Sequence, residues 1–200
     1  DLQAVKACGV TFAQSMLERV IEDRAKGDPS AAQGIRNDIQ KVIGLDLESI
    51  IPGSSEAEQL KEVLIKKDMW SQYLEVGIGP DAEVFTKAQP MSVMGIGAQI
   101  GILEKSEWNN PEPEITLAVN ATGKILGATL GNDVNLRDIE GRSALLLGKA
   151  KDNNASAAIG PFIRLFDENF SLDDVRVAEL SLTVRGLDQF TLHGRSSMSK

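Results

Sequence analysis

The residues best suited to chemistry are two glutamates that flank a proline, Glu112 and Glu114. They stand two positions apart at the start of a β-like run, where side chains two apart point to the same face. This run ends at Val119, and a turn of Asn, Ala, Thr and Gly leads into a second β-like run that ends at Leu130, so the pattern predicts a hairpin. Such a hairpin brings Asp133 out at the same open end as the glutamates.

Three carboxylates at one end of a hairpin repel one another, so at least one pKa would rise if they stayed unpaired. A hard cation removes that cost, and all-oxygen ligation suits Mg²⁺, Mn²⁺ or Ca²⁺ better than zinc. With only three protein ligands, coordination positions would stay open for water or substrate. The alternative is that Glu112-Pro-Glu114 is a solvated strand entrance, and spacing alone does not decide between the two interpretations.

Amphipathic patterns predict three helices in the first third of the chain. Apolar residues recur at helical spacing from Val5 to Ala25, Asp28 begins a second helix, and Ser55 with Glu58 has the spacing of a capping box for a third. We therefore expect residues 1–68 to form a helical N-terminal region without chemistry of its own.

The pattern changes to short β-like runs separated by Gly, Pro and Asn after Trp70. Besides the central hairpin, strands are predicted for residues 83–87 and 159–166, and a second hairpin for 177–193. Residues 69–200 are therefore predicted to be a mainly β domain, which makes the fold class α+β.

Composition limits the classes of partner. The 29 acidic and 21 basic residues give a net charge of −8 without a basic stripe, which argues against nucleic acid. The single cysteine, Cys8, favours a reducing compartment such as the cytoplasm, and no apolar stretch predicts a membrane span. We expect both ends of the chain to be cuts in a longer protein, so that it binds metal but lacks part of an active fold.

Several short motifs keep a consistent order and spacing across about 80 residues, and together they resemble the fumarylacetoacetate hydrolase superfamily. They are Glu83-Val-Phe-Thr-Lys87, Glu112-Pro-Glu114, Gly131-Asn-Asp-Val134, Arg137-Asp138 and Lys151 followed by Ile159-Gly-Pro-Phe162. The resemblance implies a fold of rolled sheets, a homodimer or higher homo-oligomer, and Mg²⁺, Mn²⁺ or Ca²⁺ bound by Glu112, Glu114 and Asp133.

Within the superfamily, Arg137 to Gly141 and the Ala-Lys pair ending at Lys151 resemble the 2-keto-3-deoxy-pentonate dehydratases. This similarity implies a small 2-oxo acid substrate and 2,5-dioxopentanoate as the product. On this hypothesis Glu83 is the base and Lys151 handles the C4 hydroxyl. Lys87 and Arg137 would hold anionic oxygens of the substrate.

Two other functions stay open at this point. One is a hydrolase of the acylpyruvate or fumarylpyruvate type on the same scaffold, and the other is a catalytically silent metal-binding or assembly module. Each proposed role also has an ordinary alternative: Glu83, Lys87 and Lys151 as solvated side chains, and Arg137 as a brace for its own turn.

Overall fold

A computed structural model describes residues 3–10, 20–21, 23–26, 28–42, 50–66, 68 and 70–199, and for residues 36–42 it describes the backbone alone. In the first half one strand is followed by helices, and strands dominate the second half. The helices are α1 (Pro29–Val42), α2 (Ser55–Lys66), α3 (Gln72–Ile78), α4 (Arg137–Glu140), α5 (Leu147–Lys151) and α6 (Leu172–Arg176). The strands are β1 (Val5–Cys8), β2 (Val84–Ala88), β3 (Val93–Met94), β4 (Asn109–Asn110), β5 (Pro113–Val119), β6 (Ile125–Asp133), β7 (Asn135–Leu136), β8 (Ala157–Leu165), β9 (Glu179–Arg185) and β10 (Thr191–Ser197).

A four-stranded sheet in the order β3-β8-β6-β5 carries the central hairpin. Strands β5 and β6 are antiparallel, β6 and β8 are antiparallel, and the short β3 runs parallel to β8. Three two-stranded sheets, β1-β2, β4-β7 and β9-β10, lie beside it in the described part of the chain. The fold is therefore mixed, with more strand than helix in its second half, as the sequence predicted.

The helices α1, α2 and α3 share one apolar core. Buried side chains from these helices and from residues 20–25 form it, and Trp108 packs against it from the β-rich half. A second, smaller core of Leu136, Ile139 and Ala150 lies under α4 and α5. The Tyr73 hydroxyl links the two halves by donating to the backbone oxygen of Glu140 at 3.0 Å.

The first predicted helix is wrong at its start. Val5–Cys8 form β1, which pairs antiparallel with β2 across the predicted boundary at residue 68. Strand pairing with a distant segment supplies hydrogen bonds that local periodicity does not show, and it outweighs a short helical pattern. Residues 20, 21 and 23–25 are helical as predicted, while residues 11–19 lie outside the described part of the chain.

The other two predicted helices are confirmed, with one change in a cap. The Asp28 carboxylate accepts from the Ser30 backbone N–H at 2.8 Å and begins α1. For α2 the capping side chain is Ser54, whose hydroxyl accepts from the Ala57 N–H at 3.2 Å, and the predicted box of Ser55 with Glu58 is wrong by one residue. Helix α3 was not predicted, because seven residues are too few for a periodic pattern to show.

Candidate metal centre

The register of the central hairpin brings Glu112 and Glu114 to the end of β6. Glu114 lies opposite Gly131, and Pro113 lies opposite Asn132. The Asp133 backbone N–H donates to the Glu112 backbone oxygen at 2.9 Å, and the Glu112 N–H donates to the Asn132 side-chain oxygen at 3.0 Å. These two bonds fix the segment before β5 against the end of β6.

The three predicted carboxylates converge as expected from the hairpin. Each of Glu112, Glu114 and Asp133 offers an oxygen, and the three oxygens lie within 4.8 Å of one another. Asp133 is buried and the two glutamates are half-buried. This set of carboxylate donors fits a hard cation such as Mg²⁺, Mn²⁺ or Ca²⁺.

Lys151 bridges two of these carboxylates. Its Nζ lies 2.5 Å from Glu112 Oε2 and 3.1 Å from Asp133 Oδ2, and its side chain is buried. Helix α5 positions it, because the preceding Ala150 is anchored in the smaller apolar core. The Phe85 ring centroid lies 5.6 Å from the same ammonium. Lys151 is therefore part of the centre, and the alternative interpretation of Lys151 as an ordinary surface residue is wrong.

Lys87 lies on the other side of Asp133, fully buried. Its Nζ is 3.1 Å from Asp133 Oδ1, donates to the Val134 backbone oxygen at 2.8 Å, and also bonds to the backbone oxygen of Lys151. The Ser156 hydroxyl accepts from it at 3.1 Å. Burial lowers the pKa of Lys87, while Asp133 beside it acts in the opposite direction. These contacts hold the Lys87 ammonium against Asp133, and the substrate contact predicted for this residue stays a prediction.

Glu83 directly precedes β2, two positions before Phe85. Its backbone oxygen accepts from the Gly9 N–H at 2.9 Å. A Cβ on Gly9 would lie 1.9 Å from Glu83 Oε2, so the glycine leaves the space that the carboxylate occupies. Burial, and then the charge of Glu114, raises the pKa of the Cys8 thiol, which places β1 beside the centre.

Arg137 is held by the segment that leads into Glu112. Its Nε donates to the Asn110 side-chain oxygen at 2.5 Å. The next residue, Asp138, accepts from the Ser106 hydroxyl at 2.8 Å and from the Glu107 N–H at 3.2 Å. The Arg-Asp element therefore tethers residues 106–110, the segment before the first glutamate.

Two residues of the centre were missed by the sequence reasoning. Asn135 is fully buried and donates from Nδ2 to Glu112 Oε1 at 3.2 Å. Ser156 is buried and accepts from Lys87 while it bonds to the backbone oxygen of Lys151 at 2.9 Å. Asn135 lies two positions after Asp133, which is a usable signal, but nothing in sequence connects Ser156 to Lys87, because they meet only in the fold.

Curated relatives of this chain include two sugar-acid dehydratases. A Haloferax volcanii protein named "Probable 2-keto-3-deoxyxylonate dehydratase" is 35% identical over 128 residues, which are 64% of this chain and 42% of that protein. The 2-dehydro-3-deoxy-D-arabinonate dehydratase of Saccharolobus solfataricus is 40% identical over 94 residues, which are 46% of this chain and 32% of that protein. No family model matches the chain. The match thus spans less than half of the length of either relative.

Solved structures support the same relationship. The structure of 2-keto-3-deoxy-D-arabinonate dehydratase complexed with magnesium and 2,5-dioxopentanoate has a TM-score of 0.59 and 31% identity, over 64% of this chain and 44% of that one. Its apo form has a TM-score of 0.58. Among the described helices, none has the length and apolar character that a membrane crossing requires. The resemblance that the motifs predicted, to the 2-keto-3-deoxy-pentonate dehydratases of the fumarylacetoacetate hydrolase superfamily, is confirmed by these relatives in sequence and in fold.

Proposed function

We propose that this chain carries the metal centre of a Mg²⁺-dependent dehydratase that converts a 2-keto-3-deoxy sugar acid to 2,5-dioxopentanoate. The observation that carries the proposal is the convergence of Glu112, Glu114 and Asp133 around the buried Lys151. The matched dehydratase structure, complexed with magnesium and 2,5-dioxopentanoate, supports the choice of metal and of product. Mn²⁺ and Ca²⁺ offer the same preference for oxygen ligands.

The three carboxylates would hold the metal ion, which when bound polarises the 2-oxo group of the substrate and makes its C3 protons more acidic. Glu83 removes a C3 proton as the general base. Lys151 gives a proton to the leaving C4 hydroxyl, which departs as water. The elimination leaves a double bond between C3 and C4; a proton then leaves C5 and one is returned to C3, which gives the enol with a C4–C5 double bond. The hydroxyl proton of this enol is lost as C4 takes up a proton, so C5 becomes the aldehyde carbon and the products are one water and 2,5-dioxopentanoate.

Lys87 and Arg137 are assigned to the substrate's anionic oxygens only as a prediction. The buried position of Lys87 supports an effect through its charge more than through contact. Arg137 stays a candidate for contact, although its Nε is held by Asn110. We further propose residues 69–200 as the catalytic domain and residues 1–68 as a mainly helical region, whose strand β1 pairs with β2 across this boundary. The homodimeric or larger assembly and the cytoplasmic location stay predictions.

The test is incubation of the full chain with Mg²⁺ and a panel of 2-oxo acids, including 2-keto-3-deoxyarabinonate and an acylpyruvate. Aldehyde formation supports the dehydratase, whereas pyruvate release would replace it by the hydrolase. The matched variants are Asp133→Asn, which removes a proposed ligand, and Asp173→Asn, which removes an exposed acid paired with Arg176. If no product forms and calorimetry detects no Mg²⁺ binding, the result favours the catalytically silent module.

A further inference from the structure

Two lysines and three carboxylates make up the contact network of the centre. With each group in its ordinary charged form the carboxylates contribute −3 and the lysines +2, so the set carries −1, and a bound dication brings it to +1. Glu83, the proposed general base, adds one more carboxylate to the count, which makes the metal-loaded site neutral. The neighbouring helix α4 contributes one basic side chain, Arg137, and two acidic ones, Asp138 and Glu140, which lie outside this count.

Lys87 takes part in this balance without facing a ligand. Its side chain is 2% exposed, and its ammonium is surrounded by Asp133, two backbone oxygens and Ser156. Its ammonium lies 3.1 Å from Asp133 Oδ1, while the other oxygen of Asp133 lies 3.1 Å from Lys151 Nζ, which in turn contacts Glu112. The charge at Lys87 is thus felt across the site in a poorly solvated environment, where Coulomb interactions are strong.

We propose that Lys87 sets the net charge of the metal centre from beneath Asp133, and that this charge selects a monoanionic 2-oxo acid as the ligand of the metal-loaded site. The inference rests on the proposed function, from which it takes the metal and the anion. A site with Lys87 is neutral to positive once loaded and accepts a monoanion. The same site without Lys87 is more negative by one charge, so the loaded site is neutral to negative and holds a monoanion more weakly, while the empty site attracts the dication more strongly.

A charge-setting role and a structural role predict different directions of change in the metal and anion affinities. Loss of a purely structural lysine would weaken the binding of metal and anion together, or would lower stability and leave both unchanged. Loss of a charge-setting lysine moves the two affinities in opposite directions. A metal ion with two charges responds more strongly than a monoanion, because the Coulomb energy scales with the product of the charges.

The experiment measures Mn²⁺ affinity by calorimetry, and then pyruvate affinity at saturating Mn²⁺, in the full chain at pH 8. Compared with the wild type, Lys87→Met is expected to bind Mn²⁺ at least about tenfold more tightly and pyruvate about tenfold more weakly. Changes of this order are what the loss of one charge produces at an effective dielectric constant of about 20. Pyruvamide, the neutral amide, should lose much less affinity than pyruvate.

Two controls separate charge from packing. Lys87→Arg alters the packing but keeps the positive charge, so it should return both affinities most of the way from the Lys87→Met values to those of the wild type. Lys61→Met removes a lysine that pairs with Glu75 away from the centre, and it should change neither affinity. If Lys87→Arg shifts both affinities as Lys87→Met does, geometry and not charge is responsible, and the inference fails.

Lys87→Met leaves Asp133 without one buried partner, and loss of one partner of a buried pair costs stability. If Lys87→Met does not fold without metal, Mn²⁺ at millimolar concentration is expected to restore the fold. If Mn²⁺ restores the fold of neither Lys87→Met nor Lys87→Gln, the inference fails. If the wild type binds Mn²⁺ and a folded Lys87→Met binds it equally or more weakly, the inference fails but the proposed function stands. A wild type that binds no Mn²⁺ would remove the proposed function as well.

Discussion

Lys151 stands where two of the carboxylates meet, and it changes the electrostatics of the centre. The sequence reasoning expected mutual repulsion among the carboxylates until a metal ion arrived. In the structure the ammonium of Lys151 lies 2.5 Å from Glu112 and 3.1 Å from Asp133, and Lys87 holds the other oxygen of Asp133. The lysines therefore relieve part of the repulsion themselves.

The first prediction concerns Lys151. Replacement by Met removes the proposed proton donor and one positive charge, so turnover of the 2-oxo acid should fall by a factor on the order of 10² or more. Mn²⁺ binding should become tighter, because a neighbouring cation is lost. Steady-state rates and calorimetry on the same sample measure both. Equal loss of turnover and of Mn²⁺ binding would contradict the proposed role, and Lys149→Met, an exposed neighbour in α5, is the control.

At the scale of elements, the central hairpin could be predicted and its surroundings could not. Alternating apolar residues and the Asn-to-Gly turn define β5 and β6, and Asn120 does hold the turn, since its side chain accepts from the Lys124 N–H at 2.9 Å. The convergence of the carboxylates followed from that geometry. The lysine contacts depend on where β2 and α5 pack against the hairpin, and no local pattern encodes packing between distant segments. The same limitation explains why β1 was predicted as a helix.

The second prediction concerns Gly131, which lies in β6 opposite Glu114 of β5. A Cβ at this position would come within 2.3 Å of the Thr116 hydroxyl. Gly131→Ala should therefore push the strands apart beside the carboxylates and weaken Mn²⁺ binding, on the order of tenfold. Calorimetry measures the loss.

Adding Thr116→Ala in the same chain makes room for the new methyl group, so the double variant should regain most of the Mn²⁺ affinity. Thr116→Ala alone is the control and should bind Mn²⁺ like the wild type. If the double variant binds no better than Gly131→Ala, the clash with Thr116 is not the cause.

The third prediction concerns pH and helix α6. The Asp174 carboxylate accepts from the Ser171 backbone N–H at 2.7 Å and from its hydroxyl at 2.8 Å, and these bonds lower the pKa of Asp174 below its usual 3.8. A depressed pKa in the folded state contributes stability above the usual pKa, and that stability is lost as pH falls through the folded value. Asp174→Asn should therefore be less stable than the wild type at pH 7 in urea unfolding.

The difference between Asp174→Asn and the wild type should shrink as the pH falls below about 4. Asp188→Asn, in the turn between β9 and β10, is a control for the general loss of a surface acid. A constant difference from pH 7 to the lowest pH at which the chain folds would contradict the assignment.

For the whole molecule, the metal centre connects segments that are far apart in the chain. The three proposed ligands are Glu112, Glu114 and Asp133, and their lysine partners come from β2 and α5, so unfolding destroys the site completely. Contacts of the helical core with Trp108, and the bond from Tyr73 to Glu140, join the helical half to this framework. A ligand that binds only the folded centre should therefore stabilise the whole chain.

The fourth prediction follows from this coupling. Mn²⁺ at about 100 times its dissociation constant should stabilise the wild type by about 2.7 kcal/mol and raise its melting temperature, while EDTA should reverse the shift. Asp133→Asn should show little shift, and Asp173→Asn should behave like the wild type. Differential scanning calorimetry measures all three. An equal shift in Asp133→Asn would place the bound ion elsewhere.

The tip of the central hairpin lies far from the centre that its open end builds. Between the pair Val119 and Ile125 near the tip and the pair Pro113 and Asn132 at the other end, six residues of β5 span roughly 20 Å. Extra residues at the tip leave the pairing below them unchanged, whereas one extra residue inside either strand turns the following side chains to the opposite face. Loop grafts and peptide tags therefore belong at residues 121–123, and natural length variation in related proteins should collect there too.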